Sequence, residues 1–298
     1  MSDAHAPRRP SADPADTGDS LLPAPPWMLG PHRWDFRVPL IMGVLNATPD
    51  SFSDGGEFLR LPQALDRALT LAQEGADVID LGGASSHPRA APVSAAQELE
   101  RIAPVVERLV REVALPLSID TQRAEVAQAC LALGAHLIND VSGRADARMI
   151  AVAARQGAPL VITYNNYTVP PPANAAELVP HMRAFFAERI AAAEAGGALR
   201  LLLDPGYGFG KTVQGSLGVL RELPALRPLR RPLLVCTSRK GSLGRITGEA
   251  DPKRRLGASI ATSLFAVTRG AALVRVHDVG QFRQALRAWR AATGEDEV

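Results

Sequence analysis

Eight short apolar runs recur along this chain, and longer segments with the spacing of amphipathic helices separate them. The runs are residues 39–45, 77–82, 116–120, 136–139, 159–164, 200–204, 232–237 and 272–277. The helical segments are residues 62–75, 95–113, 122–133, 145–156, 176–195, 251–269 and 279–293. Strands and helices that alternate with crossovers of this length indicate parallel strands with right-handed connections.

The number of units predicts the architecture. Eight strand–helix units in about 260 residues predict a closed (β/α)8 TIM barrel, for which about 250 residues is typical. An open doubly wound sheet is the alternative, but its first turn would be Gly-rich, and residues 46–49 read Asn-Ala-Thr-Pro. We therefore expect one α/β domain over residues 37–294. Residues 1–30 are rich in Pro, Ala and Asp, and we expect them to form a disordered tail.

The composition of the chain limits the kinds of partner and the cellular compartment that we expect. Lys and Arg number 33 against 31 Asp and Glu, a balance that argues against binding to nucleic acid or to an acidic membrane surface. No apolar stretch reaches the ~18 residues that a membrane span needs. Cys130 and Cys236 lie far apart in apolar surroundings, which favours core thiols of a reducing compartment over a disulfide. We expect a cytoplasmic protein, with the apolar faces of 256–267 and 280–290 as candidate contacts of a homodimer.

Polar residues follow the apolar runs. In a TIM barrel the carboxyl ends of the strands build the active site. The residues at these ends are Asn46, Gly82, Gly83, Asp120, Asn139, Asp140, Asp204, Ser238, Arg239, Lys240, Arg275 and His277. A single Asp at a strand end is often only the N-cap of the next helix, but so many polar ends on one face predict a polar ligand. Residues 206–211 lack the full phosphate-loop spacing, and we interpret them as a tight loop between a strand and a helix.

Several of these blocks match one family. Residues 41–56, an apolar run that leads into a loop with Asp50 and Asp54, closely resemble the N-terminal signature of dihydropteroate synthases. Further blocks that resemble the family are Ser118–Thr121, Ile138–Gly143, Leu203–Lys211, Ser238–Lys240 and Arg275–Asp278. The resemblance covers residues 38–292. It implies a transferase of folate biosynthesis that joins 6-hydroxymethyl-7,8-dihydropterin pyrophosphate to 4-aminobenzoate and releases diphosphate.

The resemblance also implies roles for individual residues. The expected pterin pocket contains Asp120, Asn139, Asp204 and Lys240. Asn46, Arg275 and His277 are expected to bind the pyrophosphate, with Mg²⁺ at Asn46 near Asp54. Ser86, Pro88, Phe209 and Gly241 are expected to flank the aminobenzoate. The residue types suit this ligand, because a carboxylate accepts two parallel N–H bonds from an amino-pyrimidine edge and an amide both donates and accepts.

The implied reaction is a dissociative substitution at the pterin methylene carbon. Asp54, Lys240 and Arg275 are the expected catalytic residues, with charge on the leaving group neutralised by Mg²⁺, Arg275 and His277. No covalent nucleophile is needed, and the base that takes the proton of the amine is not assigned.

Three segments depart from the family pattern. Ala84, Ser86, His87 and Arg89 replace the usual Glu, Thr, Arg and Gly. Sulfonamide-insensitive relatives also carry a Ser-His-Pro version of this loop, so an altered response to these drugs is a hypothesis. The fifth run ends in Thr163–Asn166, which read Thr-Tyr-Asn-Asn where the family usually has Met-His-Met, and Gly241 replaces a common Ser. These departures keep two alternatives open. One is a non-catalytic pterin-binding paralogue, and the other is a pterin-dependent methyltransferase, which has no reason to keep a diphosphate site.

Overall fold

Eight parallel strands close into a barrel. The computed structural model describes residues 26–47, 57–84, 90–172 and 174–295. The barrel strands are β3 (Leu40–Asn46), β4 (Val78–Gly82), β5 (Leu117–Asp120), β6 (Leu137–Asp140), β7 (Leu160–Thr163), β8 (Leu201–Asp204), β9 (Leu233–Val235) and β10 (Ala271–Val276). Each strand pairs with the next along the chain, and β10 pairs with β3 to close the ring. The predicted (β/α)8 fold is confirmed.

Helices follow the strands and cover the outside of the barrel. They are α1 (Glu57–Gln73), α2 (Ala95–Glu112), α3 (Ala124–Ala132), α4 (Ala147–Gln156), α5 (Leu178–Ala195), α6 (Val213–Arg221), α7 (Gly241–Thr247), α8 (Leu256–Thr268) and α9 (Val279–Thr293). Local chemistry sets several of their ends. Ser94 and Gln97 form a capping box at the start of α2, and Gly157 ends α4 with a left-handed φ of 57°. In the described part of the chain, no helix combines the length and the apolar character needed to cross a membrane.

A hairpin closes the amino-terminal end of the barrel. Strand β1 (Trp27–Leu29) pairs antiparallel with β2 (His32–Trp34). Trp27, Trp34 and the following Phe36 are buried, and their rings pack edge to face at 5.1 and 5.9 Å. The expected boundary of the tail at residue 30 is therefore wrong, because residues 27–30 belong to the folded unit. Trp27 and Trp34 cover the apolar interior of the barrel.

The interior of the barrel has an apolar lower level. Side chains of a strand alternate between the two faces, so one set points into the barrel and the other meets the helices. The inward set packs against the hairpin and consists of Met42, Val78, Leu137, Val161, Leu202, Leu234 and Leu273. The residues two positions further along these strands face inward one level higher, where the site lies.

Candidate active site

A polar level lies directly above the apolar one. Its members are Asp80 on β4, Ser118 on β5, Asn139 on β6, Thr163 on β7, Asp204 on β8 and Arg275 on β10. All except Arg275 are buried, and Arg275 keeps only 14% of its side chain exposed. Because buried polar groups are unfavourable without partners, the contacts of this level decide what the site can hold.

Asp80 is the centre of this level. One of its oxygens accepts a 2.6 Å bond from Nε of Arg275 and a 3.0 Å bond from Nδ2 of Asn139. Its other oxygen accepts from Oγ of Ser118 at 2.5 Å. The sequence reading missed Asp80, which lies inside an apolar run and not at its end. The signal was a carboxylate within an otherwise apolar strand.

Arg275 joins two carboxylates. Its Nη2 lies 2.9 Å from Oδ2 of Asp120, in addition to the bond with Asp80. Burial opposes the charge of Arg275, but the two carboxylates outweigh it and raise its pKa. Burial raises the pKa of Asp120 to about 7, against the lowering effect of Arg275. With Nε and Nη2 engaged, the guanidinium keeps Nη1, 4.0 Å from Sγ of Cys236, as its remaining donor group toward a ligand.

Asn139 presents an acceptor to the site. Its amide nitrogen is bound to Asp80, so its oxygen Oδ1 points away from that carboxylate. This oxygen is buried and has no hydrogen-bond partner among the residues that the structure describes. A ligand that donates an N–H group is the natural complement of such an atom.

Asp204 is fixed by the loop that follows it. Its Oδ1 accepts a 2.7 Å bond from the backbone N–H of Gly206, and burial raises its pKa. Lys211 reaches back across the loop and donates to the carbonyl oxygens of Gly206 at 2.9 Å and Tyr164 at 3.0 Å. Burial lowers the pKa of Lys211 to about 7. Residues 206–211 thus form a tight loop whose lysine is used internally.

Glycine is required at the start of this loop. Gly206 has a φ of 67°, and a Cβ there would lie 2.0 Å from the carbonyl oxygen of Tyr164. The loop then returns Phe209 to the mouth of the barrel. Nζ of Lys240 lies 4.2 Å from the centre of the Phe209 ring, so the expected pterin and aminobenzoate residues adjoin each other. Gly241 begins α7, and a side chain at this position would meet nothing within 4 Å.

His277 lies at the rim beside several cations. Its Nδ1 is 3.0 Å from Oγ of Ser238, which also accepts the backbone N–H of His277 at 3.2 Å. Burial lowers the pKa of His277 to about 3, and the nearby Arg275 and Arg239 add to this effect. The imidazole is therefore neutral near pH 7. Arg239 itself is held by both oxygens of Asp278.

A half-buried ion pair lies behind the segment that leads into α2. Arg123 contacts the buried Glu98 at 2.6 Å and donates to the carbonyl oxygen of Val93. A cavity of about 100 Å³ lies beside this pair and is also lined by Ala84 and Asp120. The expected aminobenzoate residues Ser86 and Pro88, and the catalytic candidate Asp54, lie outside the described residues.

The structure brings most of the other expected residues to one mouth. Asp120, Asn139, Asp204, Lys240, Arg275 and His277 lie at the carboxyl ends of their strands or directly after them. Asn46 ends β3, is exposed, and pairs with Gly82. Among the described residues, no group of three or more His, Cys, Asp or Glu could hold a metal.

Known proteins resemble the chain over most of its length. Residues 42–277 match the family of pterin binding enzymes. Dihydropteroate synthase of Synechocystis sp. is 43% identical over 267 residues, which cover 87% of this chain and 92% of that protein. The Bacillus subtilis enzyme of the same name is 40% identical, with 81% and 84% covered.

Solved structures agree with this assignment. Dihydropteroate synthase of Xanthomonas albilineans with 4-aminobenzoic acid has a TM-score of 0.83 and 42% identity, covering 88% of this chain and 95% of that one. The structure of the same enzyme in complex with 7,8-dihydropteroate has a TM-score of 0.80 at 40% identity, with 89% and 97% covered. This chain, with its closed barrel and its polar level at the carboxyl ends of the strands, belongs to the dihydropteroate synthase family of pterin-binding transferases.

Proposed function

We propose that this chain joins 6-hydroxymethyl-7,8-dihydropterin pyrophosphate to 4-aminobenzoate and releases diphosphate, which is the reaction of its family. The observation that carries the proposal is the buried polar level of the barrel, in which carboxylates, an amide oxygen and a lysine converge at one mouth. Such a set is costly without a ligand and suits a heteroaromatic ring that has donors and acceptors along its edge.

The pterin ring occupies the polar level in this proposal. Asp204 and Oδ1 of Asn139 accept the N–H groups of the amino-pyrimidine edge. Lys240 donates a hydrogen bond to an acceptor on the ring. The carboxylate of Asp120 stabilises the positive charge that develops on the pterin during the reaction. The internal hydrogen bonds of Asp80 and Gly206 support this role, because they hold the acceptors in place before the substrate arrives.

The diphosphate lies at the rim, near Asn46, His277 and Nη1 of Arg275, whose contact with Sγ of Cys236 is long at 4.0 Å. Ser238 accepts the backbone N–H of His277, so its own hydroxyl proton is available to Nδ1. This arrangement favours the tautomer of His277 that carries its proton on Nε2, where it can donate to a phosphate oxygen.

A magnesium ion is part of this proposal. Mg²⁺ keeps several waters and is usually held by one or two protein oxygens together with substrate phosphates. Asn46 is an exposed residue with one amide oxygen, which fits that pattern, and the lack of a larger acidic cluster among the described residues agrees with an ion that binds together with the diphosphate. When bound, the ion supplies charge neutralisation on the leaving group.

The substitution is dissociative in this mechanism. The C–O bond between the pterin methylene and the diphosphate breaks, and the ring stabilises the cationic carbon. Asp120 and Asp54 are the carboxylates proposed to stabilise that cation. The amine of 4-aminobenzoate then attacks the carbon, forms the C–N bond and loses a proton, with Phe209, Gly241, Ser86 and Pro88 proposed to position the ring.

Diphosphate release tests this function. Purified protein with the pterin pyrophosphate and Mg²⁺ should release diphosphate only when 4-aminobenzoate is present. Lys240→Ala should abolish the release, whereas Lys253→Ala, at an exposed lysine on the turn before α8, should leave it unchanged. Pterin binding without turnover would instead identify a non-catalytic paralogue, as the departures at Ala84, Thr163 and Gly241 allow.

We also propose a cytoplasmic homodimer. Both cysteines are buried free thiols, which suits a reducing compartment.

Helix α8 contains no charged residue, and Gly257, Ala261 and Phe265 follow one another on its exposed face. The apolar face of 280–290, also expected at the contact, is instead buried against the barrel through Phe282 and Leu286. The dimer contact is therefore assigned to α8 alone.

A further inference from the structure

Thr163 has a buried hydroxyl without a hydrogen-bond partner. It is the last residue of β7, and its side chain is fully buried. Within the described part of the chain, its Oγ1 forms no hydrogen bond. It follows Val161 by two positions, so it faces the interior at the polar level, as do Asn139 and Asp204 on the neighbouring strands.

The register places Thr163 between two groups of the proposed pterin pocket. On one side it is paired directly with Asp204 of β8. On the other side Asn139 of β6 is paired with Val161, so Thr163 lies diagonally above Asn139. Paired parallel strands lie about 4.8 Å apart, so one ring can touch all three side chains.

Asn139 supplies a second, independent observation at the same place. Its Oδ1 is also buried without a partner, because its amide nitrogen is bound to Asp80. Two unpartnered polar atoms on adjacent strands, both facing inward, mark a site that is complete only when a ligand is bound. Oδ1 can only accept, whereas a hydroxyl can also donate.

We propose that Thr163 is a specificity-determining residue that hydrogen-bonds the heteroaromatic ring beside Asn139. The ring presents an N–H group to Oδ1 of Asn139 and an adjacent acceptor, a ring nitrogen or an oxo group, to the hydroxyl of Thr163. This inference rests on the proposed function and adds a polar contact at a position where the family usually has an apolar Met. A trapped water is the competing occupant of the hydroxyl.

Calorimetric titration with 6-hydroxymethyl-7,8-dihydropterin tests the contact. Thr163→Val keeps the shape and removes the hydroxyl, so the ligand-free protein should melt at a higher temperature. Its Kd for the pterin should nevertheless rise about 3- to 10-fold, the loss of one hydrogen bond. Thr163→Ser, which keeps the hydroxyl, should bind within about twofold of the wild type, since the contact persists.

Thr237→Val is the matched control. Thr237 is equally buried, but its hydroxyl is bound to Ser263 and Thr262 on α8. This control should lower the melting temperature and leave the Kd unchanged, so it differs from Thr163→Val in both readouts. If Thr163→Val does not fold, Thr163→Ala takes its place and should also weaken pterin binding.

Two results would overturn the proposal, and they are distinguishable. A higher melting temperature with an unchanged Kd in Thr163→Val would mean that the hydroxyl meets water and not the ring. A wild-type protein that binds no pterin would contradict the proposed function itself, and the Thr163 contact with it.

Discussion

Asp80 shows how a single buried carboxylate can order a whole site. One of its oxygens accepts hydrogen bonds from both Arg275 and the amide of Asn139, and so orients the two groups together. We expect Asp80→Asn to destabilise the protein by about 3 kcal/mol, because removing one partner of a buried ion pair leaves the other charge poorly compensated. Pterin affinity should also fall, since an Asn–Asn pair no longer fixes which amide atom faces the ligand.

Denaturant unfolding and pterin calorimetry check this prediction together. Asp77→Asn is the control, because Asp77 also pairs with an arginine, Arg283 at 2.6 Å, but at the opposite end of the strand. The control should lose stability without any change in pterin affinity. Unchanged affinity in Asp80→Asn would remove Asp80 from the account of the site.

His277 makes the stability depend on pH. Its pKa is about 3 in the folded protein and ordinarily 6.5, so between these values the unfolded chain binds a proton that the folded chain does not. Stability should therefore be complete above pH 6.5 and decline as the pH falls toward 3. At pH 5 the protein should have lost on the order of 2 kcal/mol of its free energy of unfolding through this titration.

His277→Asn removes this titration and should show a shallower decline between pH 6.5 and 4.5. Urea unfolding of both proteins at several pH values in this window measures the difference. Parallel curves for the two proteins would show that His277 is accessible to protons in the folded state, contrary to its burial among cations.

At the scale of elements, the barrel strands are those that the sequence predicted best. Strands of a parallel barrel are buried on both faces and read as continuous apolar runs, so the run 77–82 became β4 (Val78–Gly82) with a shift of one residue. Two helices escaped prediction. Helix α6 contains Gly215 and Gly218, and α7 has seven residues and begins with a glycine, so neither gives a clear helical period.

The site was predictable at strand ends and less so elsewhere. Asp120, Asn139 and Asp204 stand at the ends of apolar runs, where the barrel rule places functional residues. Asp80 escaped because its role depends on partners on other strands. Thr163 stood out only as a departure from the family pattern, and its proposed contact likewise depends on the neighbouring strands. No pattern along one segment reveals that an amide nitrogen is occupied while its oxygen is left without a partner.

The hairpin of β1 and β2 is a stabilising element far from the site. Trp34 is 2% exposed, packs against Phe36 and closes the amino-terminal end of the barrel. We expect Trp34→Ala to cost about 3–5 kcal/mol, the usual range for deleting a buried tryptophan. The pterin Kd should not change, because the site opens at the opposite end.

Met28→Ala provides the comparison on the same hairpin. Met28 is 53% exposed, and its replacement should change stability by less than about 0.5 kcal/mol. Chemical unfolding measures both variants. A Trp34→Ala protein as stable as the wild type would mean that the hairpin contributes nothing to the stability of the barrel.

At the scale of the whole molecule, helix α8 presents to solvent a face without a charged residue. A helix covered by solvent on one face normally carries charge there, whereas the exposed face of α8 carries Gly257, Ala261, Phe265 and Thr268. Phe265 alone is 42% exposed. Removal of this surface from water on self-association is favourable, which supports a symmetric contact between two copies of α8.

Phe265→Glu should therefore separate the proposed dimer. A carboxylate at the centre of an isologous contact faces its own copy, so the repulsion acts together with the lost apolar area. Light scattering after size-exclusion chromatography should give twice the chain mass of 31.6 kDa for the wild type and the single mass for the variant. Leu199→Glu, at a leucine 69% exposed and outside α8, introduces the same charge and should leave the dimer intact. A wild-type protein of single mass would contradict the dimer, and a dimeric Phe265→Glu protein would move the contact away from α8.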